Sequence, residues 1–220
     1  MNKSFEHTKI YQCKRRTFRN KRNKKRLGDY KTIEFVGGQI TKRVESNVEK
    51  GDVVCRTVDI IPPKAISGGK IDKEFLQELQ CKTEVDANRL TQEGDVVLKL
   101  STPYDAAYIT KDDVDLLIPS FCLIIRIKDK TKLNPRFLTA FINSNVYSMQ
   151  VKEMVSGGMV TMLTMGKIKE VLIKDFTIEE QEMIATFYEN VCRREDRFKK
   201  IIEIEKEKIT AVLGGGENEQ

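Results

Sequence analysis

Residues 178–213 carry one long helical pattern. Ile184, Phe187, Tyr188, Val191, Phe198, Ile201, Ile202, Ile209 and Val212 recur at a spacing near 3.5, broken by charge at Arg194/Glu195 and Glu205. Between them the charges alternate in sign from Glu195 to Lys208, as on the flanks of a coiled coil. Thr177-Ile178-Glu179-Glu180 reads as a capping box at the start, and Gly214-Gly215-Gly216 as a stop. A helix of this length runs to about 50 Å at ~1.5 Å per residue. The rest of the chain makes too small a domain to cover it, so part of the helix needs a partner. Ile184, Val191, Phe198, Ile202 and Ile209 are the candidate partner-facing residues. A helix folded back on its own domain is the other arrangement the pattern allows.

Charge divides what comes before. The chain has 220 residues and a net charge of +6, yet residues 1–27 alone hold eleven Lys/Arg against one acid, Glu6. Such an arm attracts polyanions by counterion release, without regard to their sequence. Lys14, Arg15, Arg16, Arg19, Lys21, Arg22, Lys24, Lys25 and Arg26 are the candidate phosphate contacts; a solvated arm with no ligand is the plainer reading. Residues 28–177 are neutral overall, and 178–220 carry seven basic against eleven acidic residues. The expected organisation is a basic arm over 1–27, a folded domain over 28–177, a helix over 178–213 and a tail over 214–220.

No run is long and apolar enough to span a membrane, and the first residues lack the apolar middle of a secretion signal. A soluble, cytoplasmic protein with no membrane partner is expected. Cys13, Cys55, Cys81, Cys122 and Cys192 are odd in number and widely spaced, so neither a disulfide framework nor a zinc site is expected.

Within 28–177, short alternating runs bounded by Gly, Pro and Asn/Asp predict strands. Gly51-Asp52-Val53-Val54 and Gly94-Asp95-Val96-Val97 open alike, a Gly-Asp turn entering a half-buried strand. Between them, residues 61–70 with two prolines and two glycines read as an irregular exposed loop. Residues 116–127 are apolar enough for the central strand pair of the core. Asn134-Pro135 starts a helix predicted to run to about residue 153. After Ser156-Gly157-Gly158, residues 168–173 read as another strand. The fold class is α+β, a strand-rich mixed domain followed by a long coiled-coil helix.

Enzyme constellations are missing from the sequence. His7 is the only histidine and lies in the arm, which leaves no Ser-His-Asp or Cys-His pair in the folded part. There is no phosphate loop of the G-x-x-x-x-G-K-[ST] type, and the paired glycines lack the context of a dinucleotide or S-adenosylmethionine site. Asn134-Pro135-Arg136-Phe137 lacks the second proline of an amino-methyltransferase motif. Asp112-Asp113 with Arg126 or Lys128 is the nearest thing to a nuclease metal site. The expectation is a chain with no catalytic residues, no metal and no cofactor.

The order of pieces is more specific than any one of them. Leu27-Gly28-Asp29, the strand at 94–98, the apolar run into Ile127, the Pro-started helix, Ser156-Gly157-Gly158 with Met159–Leu163, the strand at 168–173, and Glu180-Gln181 with Ile184-Ala185 stand in sequence. This order resembles the target-recognition domain and following helix of type I restriction–modification specificity subunits. Ile173-Lys174-Asp175-Phe176-Thr177 departs from that family's Pro-Leu-Pro. The resemblance implies sequence-specific binding of double-stranded DNA at a bipartite target, partnership with methyltransferase subunits and, where cleavage follows, with a motor-nuclease subunit. Family members usually hold two such domains and two antiparallel helices, so this chain resembles a half-subunit whose homodimer would restore both. Candidate DNA contacts are Lys42, Arg43, Arg56, Lys64, Lys70, Lys99, Thr102, Tyr104, Ser156, Gly157, Gly158 and Thr161, donors or exposed backbone at predicted loops and strand ends. A basic RNA-binding protein, and an adaptor or antirestriction mimic that engages methyltransferase subunits through the helix, are the alternatives left open by the sequence.

Overall fold

The computed structural model describes residues 23–47, 49, 51–155 and 162–214. Its strands are β1 (Lys24–Arg26), β2 (Ile33–Gly37), β3 (Arg56–Ile60), β4 (Ile66–Ser67), β5 (Lys70–Ile71), β6 (Gln77–Cys81), β7 (Val96–Lys99), β8 (Ala106–Tyr108), β9 (Cys122–Ile127) and β10 (Leu172–Lys174). The helices are α1 (Thr41–Val44), α2 (Pro135–Ile142), α3 (Asn145–Val155), α4 (Met165–Glu170) and α5 (Ile178–Gly214).

The continuous apolar runs Val96-Val97-Leu98 and Leu123-Ile124-Ile125 make sense only in strands covered on both faces. They form β7 and β9, which pair antiparallel within a four-stranded sheet ordered β2-β9-β7-β8. Val96, Leu98, Leu123, Ile125 and Ile127 point into one core, shared with Phe137, Leu138, Ile142, Tyr147, Val151, Ile168 and Ala185 of the helices. Val97, Cys122 and Ile124 point the other way, into a core with Ile61, Ala65, Ile66 and Ile71. A third, smaller cluster joins the antiparallel β3–β6 pair to Val44, Val85, Leu90 and Leu117.

Several expectations change here. Residues 61–70 are not an exposed loop: Ile61, Ala65 and Ile66 are fully buried, and β4 and β5 form a short hairpin that lids the sheet. Leu116–Pro119 are buried, but only β9 is a regular strand; Leu117 runs beside Ile60 and Leu90 in isolated bridges. The helix from Asn134 breaks between α2 and α3, because Asn143 turns its side chain to the main chain of Ala106 in β8, accepting from its N–H and donating to its carbonyl. Residues 168–173 are divided between α4, whose start is capped by Thr164, and the short strand β10. The basic stretch does not stay outside the fold, since Lys24–Arg26 pair with Leu172–Lys174 and Leu27 is buried.

The twin Gly-Asp-Val-Val segments share a turn and part ways after it. Both glycines take positive φ, +79° at Gly51 and +91° at Gly94, where a side chain would be strained. Val96 and Val97 then enter β7 between two partner strands. Val53 stays 77% exposed, because β6 ends at Cys81 opposite Arg56 and leaves no strand for residues 53–54 to pair with.

Candidate nucleic-acid interface

Three groups of the expected contacts can be placed. Lys42 and Arg43 are exposed on α1; Glu45 just after it and Arg56 at the head of β3 both stand opposite Cys81 of β6, and the next residue, Lys82, pairs with Asp52 at 3.2 Å. Thr102 and Tyr104 lie in the β7–β8 loop, beside a cleft of about 520 Å³ shared with Asn143, Asn145, Ser148 and Lys152. Lys64 lies in the turn Pro63–Ala65 just before β4 and sits over the Phe75 ring at 4.8 Å, while Lys70 opens β5 and pairs with Asp196 of α5 at 2.5 Å. Lys70 is thus drawn toward the helix.

Lys99 does not fit the role expected of it. Its side chain is 7% exposed and its ammonium pairs with Asp105 at 2.9 Å, bracing the turn between β7 and β8. Ser156, Gly157, Gly158 and Thr161 lie outside the described residues. Their described neighbours reach the β7–β8 loop: Val155 lines the same cleft, Ser101 bridges to Met162, and the Leu163 N–H donates to the Leu100 carbonyl at 2.7 Å. The cleft also holds Tyr147, whose buried hydroxyl has no hydrogen-bond partner among the described residues. Burial raises the pKa of that phenol well above the usual tyrosine range.

Of the arm, Lys14, Arg15, Arg16, Arg19, Lys21 and Arg22 lie outside the described residues. Lys24, Lys25 and Arg26 form β1. Register places Lys25 opposite the buried Ile173, and the Lys25 ammonium rests over the Tyr30 ring at 4.1 Å. Lys24, Arg26 and Lys174 therefore share the outward face, with Lys24 directly across from Lys174. Like charges in opposed positions repel.

The residues posited as a metal site are not gathered. Arg126 binds Asp95, Lys128 binds Glu34, and Asp113 accepts from Thr110. Among the described residues, no group of three or more His, Cys, Asp or Glu is placed to hold a metal ion. No described helix is long and apolar enough to cross a membrane.

Helix α5 shows two distinct faces. Gln181, Ala185, Tyr188, Cys192 and Asp196 face the domain, with Ala185 fully buried against it. Ile184 also packs on the domain core, so it is not free for a partner as expected. Phe187, Val191, Phe198, Ile202 and Ile209 are all about half exposed or more. At about 100° per residue, this second stripe lies about 110° round the helix from the first. From residue 197 to 214 every described side chain is exposed, so the domain supports only the first half of α5.

The residue that sequence reasoning missed is Arg136. Its Nε and Nη2 donate to both carboxylate oxygens of Glu189 at 2.5 and 2.6 Å, and its Nη1 donates to Glu182 at 2.6 Å. Glu189 beside it raises the guanidinium pKa further. Two glutamates seven residues apart on one helix were a readable hint of a single shared cation.

No family model matches the chain, and no curated protein matches it. Solved structures do. A chain from a type I restriction–modification system, solved for its complex assembly and conformational transition, superposes with a TM-score of 0.57 at 18% identity over 83% of this chain. The HsdS subunit from Thermoanaerobacter tengcongensis gives 0.54 at 18% identity over 84%. The type I system S subunit from M. genitalium gives 0.50 at 11% identity over 91%. In each case the chain spans about half of the other, 48%, 48% and 46% of its length. At these identities the likeness is one of fold: a strand-rich domain joined to a long helix.

Proposed function

We infer that this chain, folded as the S subunits of type I restriction–modification systems are, is a sequence-specific DNA-recognition subunit with no catalytic chemistry of its own. The observation that carries the reading is the shared fold, which takes in 83–91% of this chain and about half of each neighbour. One domain and one helix out of two of each fits that proportion. In this reading the β7–β8 loop with Thr102 and Tyr104, and the surface around Lys42, Arg43 and Arg56, meet base edges. Lys24, Arg26, Lys174 and the arm grip phosphate. Two copies pair through the exposed stripe of α5 and hold two domains at opposite ends. The DNA target is then one half-site in two inverted copies about a fixed spacer. The bound pair directs separate methyltransferase subunits, and a motor-nuclease subunit where cleavage follows.

Selection from a random duplex library tests this. The expected product is a gapped, inverted repeat, methylated when methyltransferase subunits are added and left unmodified by the chain alone. Enrichment of no duplex sequence, or tighter binding to structured RNA, would overturn the reading.

A further inference from the structure

We propose that the ion-pair joint centred on Arg136 sets the angle between the domain and helix α5, and thereby selects the spacer length of the DNA target. The proposal rests on the recognition reading above and adds to it the residues that do the measuring.

Apolar packing of α2 on α5, through the buried Ala185, resists separation but gives little resistance to sliding or rotation. Directional contacts supply that resistance. The Arg136 fork holds Glu189 at one end and Glu182 at the other, while the second Glu182 oxygen accepts from Asn134 Nδ2 at 2.7 Å. The two glutamates stand about 10.5 Å apart along the axis. A slide or turn of the helix that keeps one pair breaks the other. Beside them Gln181 accepts from the Asn134 N–H at 2.8 Å and donates to the Phe176 carbonyl at 3.0 Å. A second anchor lies further along, where Lys70 reaches Asp196 at 2.5 Å and the Tyr188 ring lies so close over Gly69 that an added Cβ would approach it to 2.7 Å.

These side chains are partly exposed, with Arg136 at 31% and Glu182 at 50%, so the pairs add little net stability. Their geometric effect is larger. Each base pair added between half-sites moves one domain by about 3.4 Å and turns it by about 34°. For a domain of about 15 Å radius of gyration, 3.4 Å corresponds to a tilt of about 13° at the joint. Gln181 and Lys70 each hold the helix near one point, whereas the Arg136 fork grips it at two points about two turns apart, and that span is what resists a tilt of this size.

The test compares the wild-type chain, Arg136→Gln and the helix-side double variant Glu182→Gln/Glu189→Gln on duplexes carrying the selected half-sites with spacers differing by single base pairs. Wild type is expected to favour one spacer by about tenfold or more, a difference equivalent to about 1.4 kcal/mol. Both variants are expected to drop below threefold while enriching the same half-site bases and keeping the wild-type circular dichroism. The full charge swap, Arg136→Glu with Glu182→Arg and Glu189→Arg, is expected to restore the preference, which a residue serving only stability would not do. If wild type selects paired half-sites and both variants keep its spacer, the proposal fails and the recognition reading stands. If wild type selects no paired half-sites, both fail together.

Discussion

Arg126 and Asp95 meet at 11% and 2% side-chain exposure, with Nε and Nη2 donating to the two carboxylate oxygens at 2.9 and 2.8 Å. Asp95 also accepts from the Gln92 N–H, and Arg126 donates to the Leu90 carbonyl, so the pair pins the turn that launches β7. Removing one partner leaves the other charge buried. Asp95→Ala is therefore expected to lower stability by about 3–5 kcal/mol, read by urea denaturation followed by circular dichroism. A loss below 1 kcal/mol would show the site rehydrating freely. A second expectation concerns Cys122, whose thiol burial pushes up to about 12. A folded pKa above the unfolded one gives stability that is complete below the ordinary thiol range and is lost as pH rises toward 12. Unfolding free energy should fall above about pH 9, by up to about 1.4 kcal/mol per pH unit from this group. Cys122→Ala should flatten that slope, and an unchanged slope would assign it to the buried tyrosines instead. At this scale the sequence was legible where a residue acts on near neighbours, as Asn134 does in capping α2. Lys99 and Arg136 were not legible, because Asp105 and Glu189 reach them only once a turn and a helix packing have formed.

Elements were legible in proportion to how local their causes are. The capping box at Thr177 is present, with the Thr177 N–H donating to Glu180 at 3.0 Å and the Glu180 N–H to Thr177 Oγ1 at 3.4 Å. Asn134 caps α2, accepting from the Arg136 and Phe137 N–H groups. Asn134→Ala is expected to cost about 1–2 kcal/mol, since it also removes the bond to Glu182; thermal melts would check this. By contrast, the break at Asn143 depends on β8, and the fate of each Gly-Asp-Val-Val run depends on how many strands flank it. Neither cause is present in the local sequence. The corrected limit of the arm matters for experiment too. Removing residues 1–26 would delete β1 and expose Ile173, whereas removing 1–22 spares the β1–β10 pair. The shorter deletion takes away eight Lys/Arg. It is expected to weaken binding to all duplexes alike and to flatten the salt dependence, because phosphate contacts carry no base information. A changed half-site preference after this deletion would make the arm a base reader.

The whole molecule is a supported half-helix followed by an unsupported one. Gln181 to Asp196 lie against the domain, while Phe198 at 64%, Ile202 at 54% and Ile209 at 60% exposure extend the second stripe beyond it. Most of the stability of a helix in a protein comes from packing of its apolar face, and residues 197–214 pack on nothing in their own domain. Something must cover the stripe for α5 to persist to Gly214, and apolar burial contributes about 25 cal/mol per Å² when it does. A second copy of the chain offers the same stripe, and a two-fold antiparallel pairing closes without leaving either face over. Wild type is accordingly expected to scatter light as a dimer at micromolar concentration. Phe198→Lys/Ile202→Lys puts four cations at the centre of the pair. It should give a monomer whose helical signal falls as the outer half of α5 frays, while the domain unfolds at an unchanged urea midpoint. Binding to a single half-site should survive, and the gain from a second half-site at the right spacing should vanish. A wild-type monomer with full helical content would overturn the pairing, since α5 would then stand without a second copy.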